Sequence, residues 1–495
     1  MPAGTRAILV LVLCSYFLIV LNNALMIVGL SEIRDEFAMT ATELSWVQNC
    51  FTLAFGGVML LGARLGDVWG RRTAFLLGLG VFSIASLLAG AAGSAPTLLA
   101  ARALQGAGAG VLAPTTLALL TATFAAGQAR TRAVAAYGSI AGVGGSVGLV
   151  AGGALTALAS WRFGFFLDVP IGLILMVVAV RFVPRTPRVP ERFDALGALL
   201  SLVGPVCVLY GIIRSVEFGW ADILTIASFS SGLALIALFV LVEHRAAQPI
   251  MPLRLFADSG RSAAYVARML FMGAIMGFTF YCSQFLQIVL GFDPLTAGLA
   301  FLPMTVVNFG VAIAVAPLTR RFGNSWLLVT GLSVTAAGMA LLGLVSPQSE
   351  YLTGVFVPLL LVGVGQGLAL APLTVAGILG VAPADAGAGS GVVNVAHQIG
   401  GSLGLAVLVT VSAAIAGNAV TVDTLARQSS AAFVGAAIML CAALVTVAVP
   451  SILNRRSARR RGRADTPETG TMLSPIRDAQ TISHDPPTDP ERTRP

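Results

Sequence analysis

Residues Leu98 to Thr123 read LLAARALQGAGAGVLAPTTLALLTAT, an apolar run long enough to cross a bilayer as a helix. The run contains a single charged residue, Arg102. A guanidinium in hydrocarbon costs roughly 3 kcal/mol, so an arginine inside a span usually faces the interior of a helix bundle and marks a transport path. The alternative is that Arg102, about one turn inside the run, snorkels to the membrane surface. Small and helix-bending residues in the same run favour close packing and bending: Gly106, Gly108, Gly110 and Pro114.

The composition of the whole chain is that of a membrane protein. Of its 495 residues, 57% are hydrophobic and 11% are charged, and the mean hydropathy is +0.89. These values exclude an ordinary soluble domain. The net charge is +8, and all basic residues are arginines. Because the arginines lie in short loops between apolar runs and form no single basic face, we expect no nucleic-acid partner.

The sequence predicts neither an enzyme nor a bound cofactor. Its five cysteines lie far apart in apolar runs, so their spacing defines no disulfide framework and no metal site. The glycine-rich stretch 144–148 belongs to a predicted membrane helix with no preceding strand, so its glycines indicate packing and not phosphate binding. No nucleotide-binding loop is found in the sequence, which argues against direct drive by ATP.

Fourteen apolar runs of about 20 residues are bounded by charged or turn residues, and each is predicted to be a transmembrane helix. The chain is therefore predicted to be an all-helical, multi-pass membrane protein. The predicted spans are Ile8 to Leu30, Leu44 to Gly62, Ala74 to Ala92, Leu98 to Thr123, Ala133 to Ala157, Phe163 to Val183, Ala195 to Ile213, Ile223 to Leu241, Arg268 to Leu290, Ala297 to Pro317, Trp326 to Val345, Thr353 to Gly377, Gly391 to Ala414 and Ala431 to Ile452.

Arginines distinguish the two sides of this array. They cluster in the loops after the second, fourth, sixth, eighth and tenth spans, whereas the loops after the first, ninth and eleventh spans are acidic or nearly uncharged. The positive-inside rule then predicts that both termini lie in the cytoplasm. The high alanine, glycine and arginine usage without lysine favours a bacterial source, so we expect the protein in the inner (plasma) membrane. The tail from Asn454 begins with an arginine cluster and becomes rich in Pro, Thr and Asp, which predicts a basic, disordered end.

A faint internal repeat divides the chain. GARLGDVWGRR at 62–72 follows the second span and PLTRRFG at 317–323 follows the tenth, each containing an aromatic residue followed by glycine. Pro114 in the fourth span likewise corresponds to Pro372 in the twelfth. Repeated halves around a central site are usual in secondary transporters. We therefore predict a six-helix bundle at 1–190, two inserted helices with a cytoplasmic loop at 191–260, a second six-helix bundle at 261–453 and the tail at 454–495.

The loop at 62–72 resembles the signature loop of the major facilitator superfamily, Gly-x-Leu-(Gly/Ala)-Asp-(Arg/Lys)-x-Gly-Arg-Arg. Val68 stands in place of the usual base. The matching positions are Arg64, Leu65, Gly66, Asp67, Gly70, Arg71 and Arg72. In such a loop, we expect Asp67 to make a contact that breaks when the two halves rock. The alternative is a simple turn that obeys the positive-inside rule.

Further motifs resemble the fourteen-helix drug:proton antiporters of this superfamily. The fourth span is similar to their Arg-x-x-Gln-Gly helix, which the family associates with proton transfer, through Arg102, Gln105 and Gly106. The stretch 144–153 resembles the export-associated pattern Gly-x-x-x-Gly-Pro-x-x-Gly-Gly, with Leu149 replacing the proline. The resemblance implies the major facilitator fold, in which two six-helix bundles are separated here by two extra helices.

The sixth and ninth spans extend the same resemblance. Trp161 to Gly172 is similar to the antiporter signature Trp-Arg-x-x-Phe-x-x-Asn-x-Pro-x-Gly, and Gln287 to Pro303 resembles the ninth helix and loop of that group. With these motifs, the resemblance covers Ile8 to Ile452.

Two departures from the antiporter pattern bear on the mechanism. The first helix of these antiporters usually carries a membrane aspartate, whereas this chain has Asn22 and Asn23. Asp168 stands where the group usually has asparagine, about 10 Å along the sixth helix. We therefore predict that the acidic function has moved to Asp168. The alternative is that Asp168 pairs with Arg162 at the outer boundary.

These patterns give three sets of expected site residues. Proton coupling is assigned to Arg102, Asp168 and His397, since histidine titrates near neutrality. The alternative for His397 is a helix-packing role. Conformational gating is assigned to Asp67, Arg71, Arg72, Gly148 and Gly152. Polar residues inside spans are expected to line the substrate cavity: Asn22, Asn23, Gln105, Gln284, Gln287, Asn308, Gln366 and Asn394.

The sequence predicts a monomeric secondary exporter that moves a small amphipathic compound, such as a drug or antibiotic, across the lipid bilayer by proton antiport and alternating access. An uptake or facilitative carrier is a second interpretation, favoured by the missing first-helix aspartate and by Leu149. A membrane sensor on the same fold is a third. The missing aspartate also weakens the case for a dedicated organic-cation pump and favours neutral or anionic substrates.

Overall fold

A computed structural model describes residues 3–464 except 125–127, 186–194, 247–248, 250, 383–384 and 418–420. The described chain is helical and contains no β-strand. Its α-helices are α1 (Ala3–Phe37), α2 (Ala41–Val68), α3 (Arg71–Gly90), α4 (Ala95–Thr123), α5 (Gln128–Leu158), α6 (Trp161–Phe182), α7 (Ala195–Phe218), α8 (Ile223–Arg245), α9 (Ser259–Gln284), α10 (Pro294–Ala300), α11 (Leu302–Phe322), α12 (Asn324–Leu342), α13 (Val357–Ile378), α14 (Ala386–Ala416) and α15 (Val422–Ala464).

These elements form fourteen long helical segments in the described ranges. A π-helical turn at Phe285–Val289 extends α9, another at Tyr351–Phe356 leads into α13, and α10 continues into α11. Twelve of the segments are long and apolar enough to cross a membrane. The other two, α2 and α5, are 28 and 31 residues long. Each predicted span falls on one segment, and the predicted all-helical fold is confirmed.

The predicted start of the ninth span at Arg268 is wrong. The helix α9 begins at Ser259, because the side chain of Asp258 accepts a hydrogen bond from the backbone N–H of Arg261 and caps the helix. Arg268 therefore lies nine residues after the first residue of α9, about 13.5 Å along its axis, and only 6% of it is exposed. The chain thus carries a second deeply placed cation besides Arg102.

The glycines of the two repeated loops occupy equivalent turns. Gly70, between α2 and α3, has a φ of +88°, and Gly323, between α11 and α12, has a φ of +85°. Glycine takes such angles without steric cost, which accounts for its presence at both positions. The turn is shorter than the motif suggests, because α2 continues to Val68. The side chain of Asp67 lies outside the described residues.

Close helix packing is also repeated between the first half (α1–α6) and the second half (α9–α15). A Cβ on Gly106 of α4 would lie 2.2 Å from the carbonyl oxygen of Phe51 in α2. A Cβ on Gly363 of α13 would lie 2.4 Å from the carbonyl oxygen of Met304 in α11. Since real Cβ atoms essentially never come closer than 3.0 Å to a neighbour, both positions require glycine. Two further glycine pairs meet in the same way, Gly78 with Gly108 and Gly331 with Gly365.

The two halves meet where α1, α5 and α9 end. A Cβ on Gly153 of α5 would lie 2.4 Å from the carbonyl oxygen of Pro294 in α10. Near the end of α9, Gln287 donates from Nε2 to the carbonyl oxygen of Val28 in α1, at 3.2 Å. These contacts close this end of the bundle.

The helices α7 and α8 pack against each other and lie beside both halves. A small apolar cluster joins α7 to α2 and α14, formed by Leu53, Leu209, Ile213 and Ala406. In the most apolar stretch of α8, only 17% of the residues are buried. These two helices are therefore peripheral to the cores of the two halves.

Outside the membrane spans, one ion pair fastens the start of α14. The Nε and Nη2 groups of Arg254, in a 3₁₀ turn at Leu253–Phe256, donate to the two carboxylate oxygens of Asp385 at 2.7 and 2.6 Å. The guanidinium favours the charged carboxylate, so it lowers the pKa of Asp385 below its ordinary value. The contribution to stability is small, because 68% of the Arg254 side chain is exposed.

This pair gives a pH-dependent prediction. A carboxyl group whose pKa is lowered by folding stabilises the fold at pH values above its unfolded pKa of about 3.9 and loses that contribution as the pH falls below it. We expect Asp385→Asn to lower the unfolding temperature slightly at pH 6 and to narrow the gap to wild type at pH 3. Thermal unfolding of the purified protein measures both, with Glu350→Gln, an exposed loop carboxylate, as the matched control. A constant gap at both pH values would contradict this role.

Candidate functional site

Arg102 is buried in α4 with no exposed surface. Its Nε donates to the carbonyl oxygen of Val47 at 3.0 Å. Its Nη1 donates to Asn22 Oδ1 at 3.0 Å and to Gln105 Oε1 at 2.6 Å. The guanidinium also lies over the ring of Phe51, 4.4 Å from the centroid, a favourable cation–π geometry. The structure therefore supports the interpretation that Arg102 faces the bundle interior and does not snorkel.

Asp168 is the buried acid of the same site, and it too has no exposed surface. Its Oδ2 accepts hydrogen bonds from Asn22 Nδ2 at 2.6 Å, Ser86 Oγ at 3.1 Å and Gln105 Nε2 at 3.5 Å. Its Oδ1 is buried and has no hydrogen-bond partner among the described residues. One oxygen of the Asp168 carboxyl group thus accepts three hydrogen bonds, and the other accepts none from the described residues.

Two side-chain amides connect the cation to the acid. Asn22 and Gln105 each accept from Arg102 through the amide oxygen and donate to Asp168 through the amide nitrogen. We call these four residues the buried network. An aspartate at position 22 has no proton to donate when ionised, and it would face Asp168 as a like charge. The asparagine at 22 and the aspartate at 168 therefore suit each other, although the related antiporters usually have the acid in the first helix and the amide in the sixth.

The alternative that Asp168 pairs with Arg162 is wrong. Arg162 instead binds Glu36 at the end of α1, with Nη1–Oε2 and Nη2–Oε1 distances of 2.5 and 2.6 Å. Trp161 donates from Nε1 to the same carboxylate at 2.9 Å. With Arg162 occupied by Glu36, Asp168 has no direct guanidinium partner within ion-pair distance in the described ranges.

A small cavity adjoins the buried network between α1, α5 and α6. Its wall includes Asn22, Thr156 and Phe165, and it has room for about one water molecule. Pockets for drug-sized ligands usually measure about 300–1,000 Å³. The cavity is therefore better suited to bring water to Asn22 than to hold a drug.

Arg268 is the site residue that sequence analysis missed. Its Nη1 donates to the carbonyl oxygen of Leu370 at 3.1 Å and to Thr374 Oγ1 at 3.0 Å. Its Nη2 lies 2.9 Å from Nδ1 of His397. Because arginine only donates, Nδ1 must accept, which assigns the neutral form to the His397 ring in this structure. The signal in the sequence is Arg268 itself, an isolated arginine at the edge of a long apolar run. Because the predicted span starts at Arg268, the residue looks like the end of a helix, whereas α9 begins nine residues earlier.

Sequence comparison with known proteins now bears on what this arrangement does. The sequence profile of the Major Facilitator Superfamily matches residues 12–405. The chain belongs to the major facilitator superfamily. It is 38% identical over 450 residues to a cephamycin export protein of Amycolatopsis lactamdurans, covering 90% of this chain and 92% of that protein. It is 37% identical over 409 residues to a puromycin resistance protein of Streptomyces alboniger, covering 82% and 81%.

The fold of this superfamily is also seen in solved structures. A peptide transporter in complex with sulfate superposes with a TM-score of 0.68 at 15% identity, covering 93% of this chain and 96% of that chain. The major facilitator fold predicted from the signature loop is confirmed. Since the related members are membrane transporters, the prediction that the chain is not an enzyme is confirmed as well.

The remaining predicted cavity residues lie at several places in this superfamily fold. Asn22 and Gln105 belong to the buried network, and the others pair elsewhere. Asn23 accepts from Gln48 at 2.7 Å, and Asn308 donates to Gln366 at 2.8 Å. Contacts with nearby backbone oxygens hold the rest, in Gln284 with Phe280, Gln287 with Val28 and Asn394 with Ser390. No single cavity is defined by these contacts, so the lining set stays a prediction.

The predicted gating residues lie in two regions, around the turn between α2 and α3 and in α5. Arg72 Nη1 lies 3.4 Å from the carbonyl oxygen of Val183, and Arg71 is engaged in a further interaction. On α5, a Cβ on Gly148 would lie 2.9 Å from the carbonyl oxygen of Leu21, and Gly152 is equally close to α1. The two glycines thus hold α5 against α1. Their gating role stays a prediction.

Proposed function

We propose that this chain is a proton-coupled exporter of small amphipathic antibiotics that works by alternating access. The observation that carries the proposal is the buried network, which contains a protonatable carboxyl group, Asp168, within a membrane transporter fold. An ionisable group at such depth is costly, and in membrane proteins such groups usually mark transport or proton pathways. The cephamycin export protein and the puromycin resistance protein support export as the direction and antibiotics as the substrate class.

In this proposal, Asp168 binds the proton on Oδ1, the oxygen without a partner, while Oδ2 keeps its hydrogen bonds. Protonation removes the negative charge that Asn22 and Gln105 bond to. Both amides also bond to Arg102, so the change of charge alters contacts among α1, α4 and α6. The small cavity beside Asn22 supplies the water path.

The proposal places the chain in the inner (plasma) membrane as a monomer with both termini in the cytoplasm. In that orientation the closed end, where α1, α5 and α9 meet, faces outward. The bundles at 1–190 and 261–453 rock against each other, while Gly148 and Gly152 keep α5 packed on α1 within the first bundle and the helices within 191–260 remain peripheral. In that motion, Asp67, Arg71 and Arg72 hold the loop between α2 and α3.

Energised drug-sensitive bacteria test the proposal. Cells that express the chain should accumulate less radiolabelled puromycin or cephamycin than cells with empty vector, and a protonophore should remove the difference. A difference that survives the protonophore would contradict proton coupling. Faster entry of drug in expressing cells would contradict export and favour a facilitative carrier.

A further inference from the structure

A second polar cluster lies in the other half of the molecule, apart from the buried network. It consists of Arg268 in α9, Thr374 in α13 and His397 in α14, joined by the hydrogen bonds of the Arg268 guanidinium. Arg268 is 94% buried, since 6% of it is exposed. We call these three residues the arginine cluster.

The guanidinium of Arg268 is only partly satisfied. An arginine has five N–H donors, and three of those of Arg268 are used on Leu370, Thr374 and His397. Two donors are left, and one of them, Nε–H, is buried without a partner. The other belongs to Nη2, which makes a single contact. Arg254 uses the same two nitrogens, Nε and Nη2, to bind the carboxylate of Asp385.

The positive charge of the arginine cluster is not balanced. Within the part of the chain that the structure describes, no carboxylate lies within 4.0 Å of the Arg268 guanidinium. Neither neighbour offsets this charge, because Thr374 is an uncharged hydroxyl and His397 is neutral when its Nδ1 accepts from Arg268. A buried arginine without a counter-ion is expensive, so an anion bound here would complete the site.

The cluster is partly open to its surroundings. His397 is partly exposed, as is Tyr16 of α1 in the first half. Tyr16 also stacks on Tyr137 of α5, with ring centroids 4.2 Å apart. The first half thus offers an aromatic surface and the second half a buried cation. An amphipathic molecule that carries an acidic group matches both features.

We propose that the arginine cluster is a binding site for the carboxylate of an amphipathic anionic substrate, with Arg268 holding the acid and His397 positioning Arg268. This rests on the proposed function, because it assigns the substrate class of the same exporter. The source of the anion is the transported molecule and not the headgroup of a bound lipid.

Equilibrium binding to purified full-length protein in phosphatidylcholine nanodiscs tests the site without any proton gradient. The probes are 1-naphthaleneacetate and its neutral counterpart 1-naphthaleneacetamide, compared by equilibrium dialysis. We expect wild type to bind the acid at least tenfold more tightly than the amide. We expect Arg268→Gln to remove that preference and to leave amide binding within twofold, whereas the matched control Arg427→Gln, on an exposed arginine, keeps it.

Equal affinities of wild type for acid and amide would overturn the proposal, as would a folded Arg268→Gln protein that still prefers the acid. Wild type alone decides the question if Arg268→Gln does not fold, because the acid should raise its unfolding temperature more than the amide does. Arg268→Lys, which keeps the charge but not the two-pronged donor geometry, should show a reduced preference.

A separate measurement tests whether the bound anion is a lipid headgroup. Replacing a third of the phosphatidylcholine with phosphatidylglycerol should leave the acid preference of wild type unchanged. Its loss in these discs, with retention in pure phosphatidylcholine, would assign the site to an anionic headgroup and overturn the substrate assignment. If wild type prefers the acid but drug efflux survives the protonophore, the binding site is supported and proton coupling is contradicted. If the protonophore abolishes efflux but wild type shows no preference for the acid, the binding site is contradicted and proton-coupled export of neutral or cationic compounds is still supported.

Discussion

Asp168→Asn is expected to lower proton-driven transport at least tenfold while leaving substrate exchange without a gradient within twofold of wild type. The asparagine keeps an oxygen for the hydrogen bonds from Asn22 and Ser86. Its amide nitrogen takes the place of Oδ1, which has no partner to lose. Shape and packing are therefore kept, and only the protonatable group is removed.

Two measurements on the purified protein check this result. Transport into proteoliposomes with an imposed pH gradient is compared with counterflow exchange at equal pH, and a pH-sensitive dye records proton release when substrate is added. Asp423→Asn, which changes an exposed carboxylate, is the matched control and should behave as wild type. Unchanged proton release from a folded Asp168→Asn protein would contradict the coupling role and direct attention to His397.

Arg102→Ala is expected to reduce both stability and transport. It deprives three acceptors of a donor, namely Val47 O, Asn22 Oδ1 and Gln105 Oε1. A buried acceptor left unpaired costs about 1–3 kcal/mol, but removing a buried charge recovers part of this. The net expectation is a loss of about 2–4 kcal/mol in the free energy of unfolding. Uphill transport should fall more than tenfold, because Asn22 and Gln105 no longer hold Asp168 in place.

Denaturant or thermal unfolding in detergent measures the first effect, and the proteoliposome assay measures the second. Arg427→Ala, on the exposed side of α15, controls for the loss of an arginine. Arg102→Gln separates charge from hydrogen bonding, since it can still donate to one or two of the acceptors. Full uphill transport by Arg102→Ala at wild-type abundance would contradict a role in coupling.

Local sequence was enough to predict the fold because hydrophobic runs and the glycines that join them are local signals. The turn at Gly70 and its counterpart at Gly323 are predictable from the residues next to them in sequence. The position of Arg102 inside a span is predictable in the same way. Burial in a bundle was the simplest way to satisfy a charge in an apolar run.

The partners of charged residues were not predictable in the same way. Glu36 and Arg162 are 126 positions apart, and no local pattern indicates that they meet. Arg268 was overlooked because its helix begins at a capping residue, Asp258, in a polar stretch that looks like a loop. Asn22 was interpreted as the loss of a carrier, whereas three-dimensional packing makes it the link between a cation and an acid.

The glycine contacts within each half have a mechanical consequence. Where Gly106 meets Phe51 and Gly363 meets Met304, backbone touches backbone, and no side chain lies between the helices. Such seams have no rotamers that could absorb a displacement, so they make each set of helices stiff. We expect a small displacement at Asp168 to be carried as a rotation of a whole block and not to be dissipated locally. Under the proposed proton coupling, stiffness of this kind is what would let a proton at Asp168 act on a distant substrate.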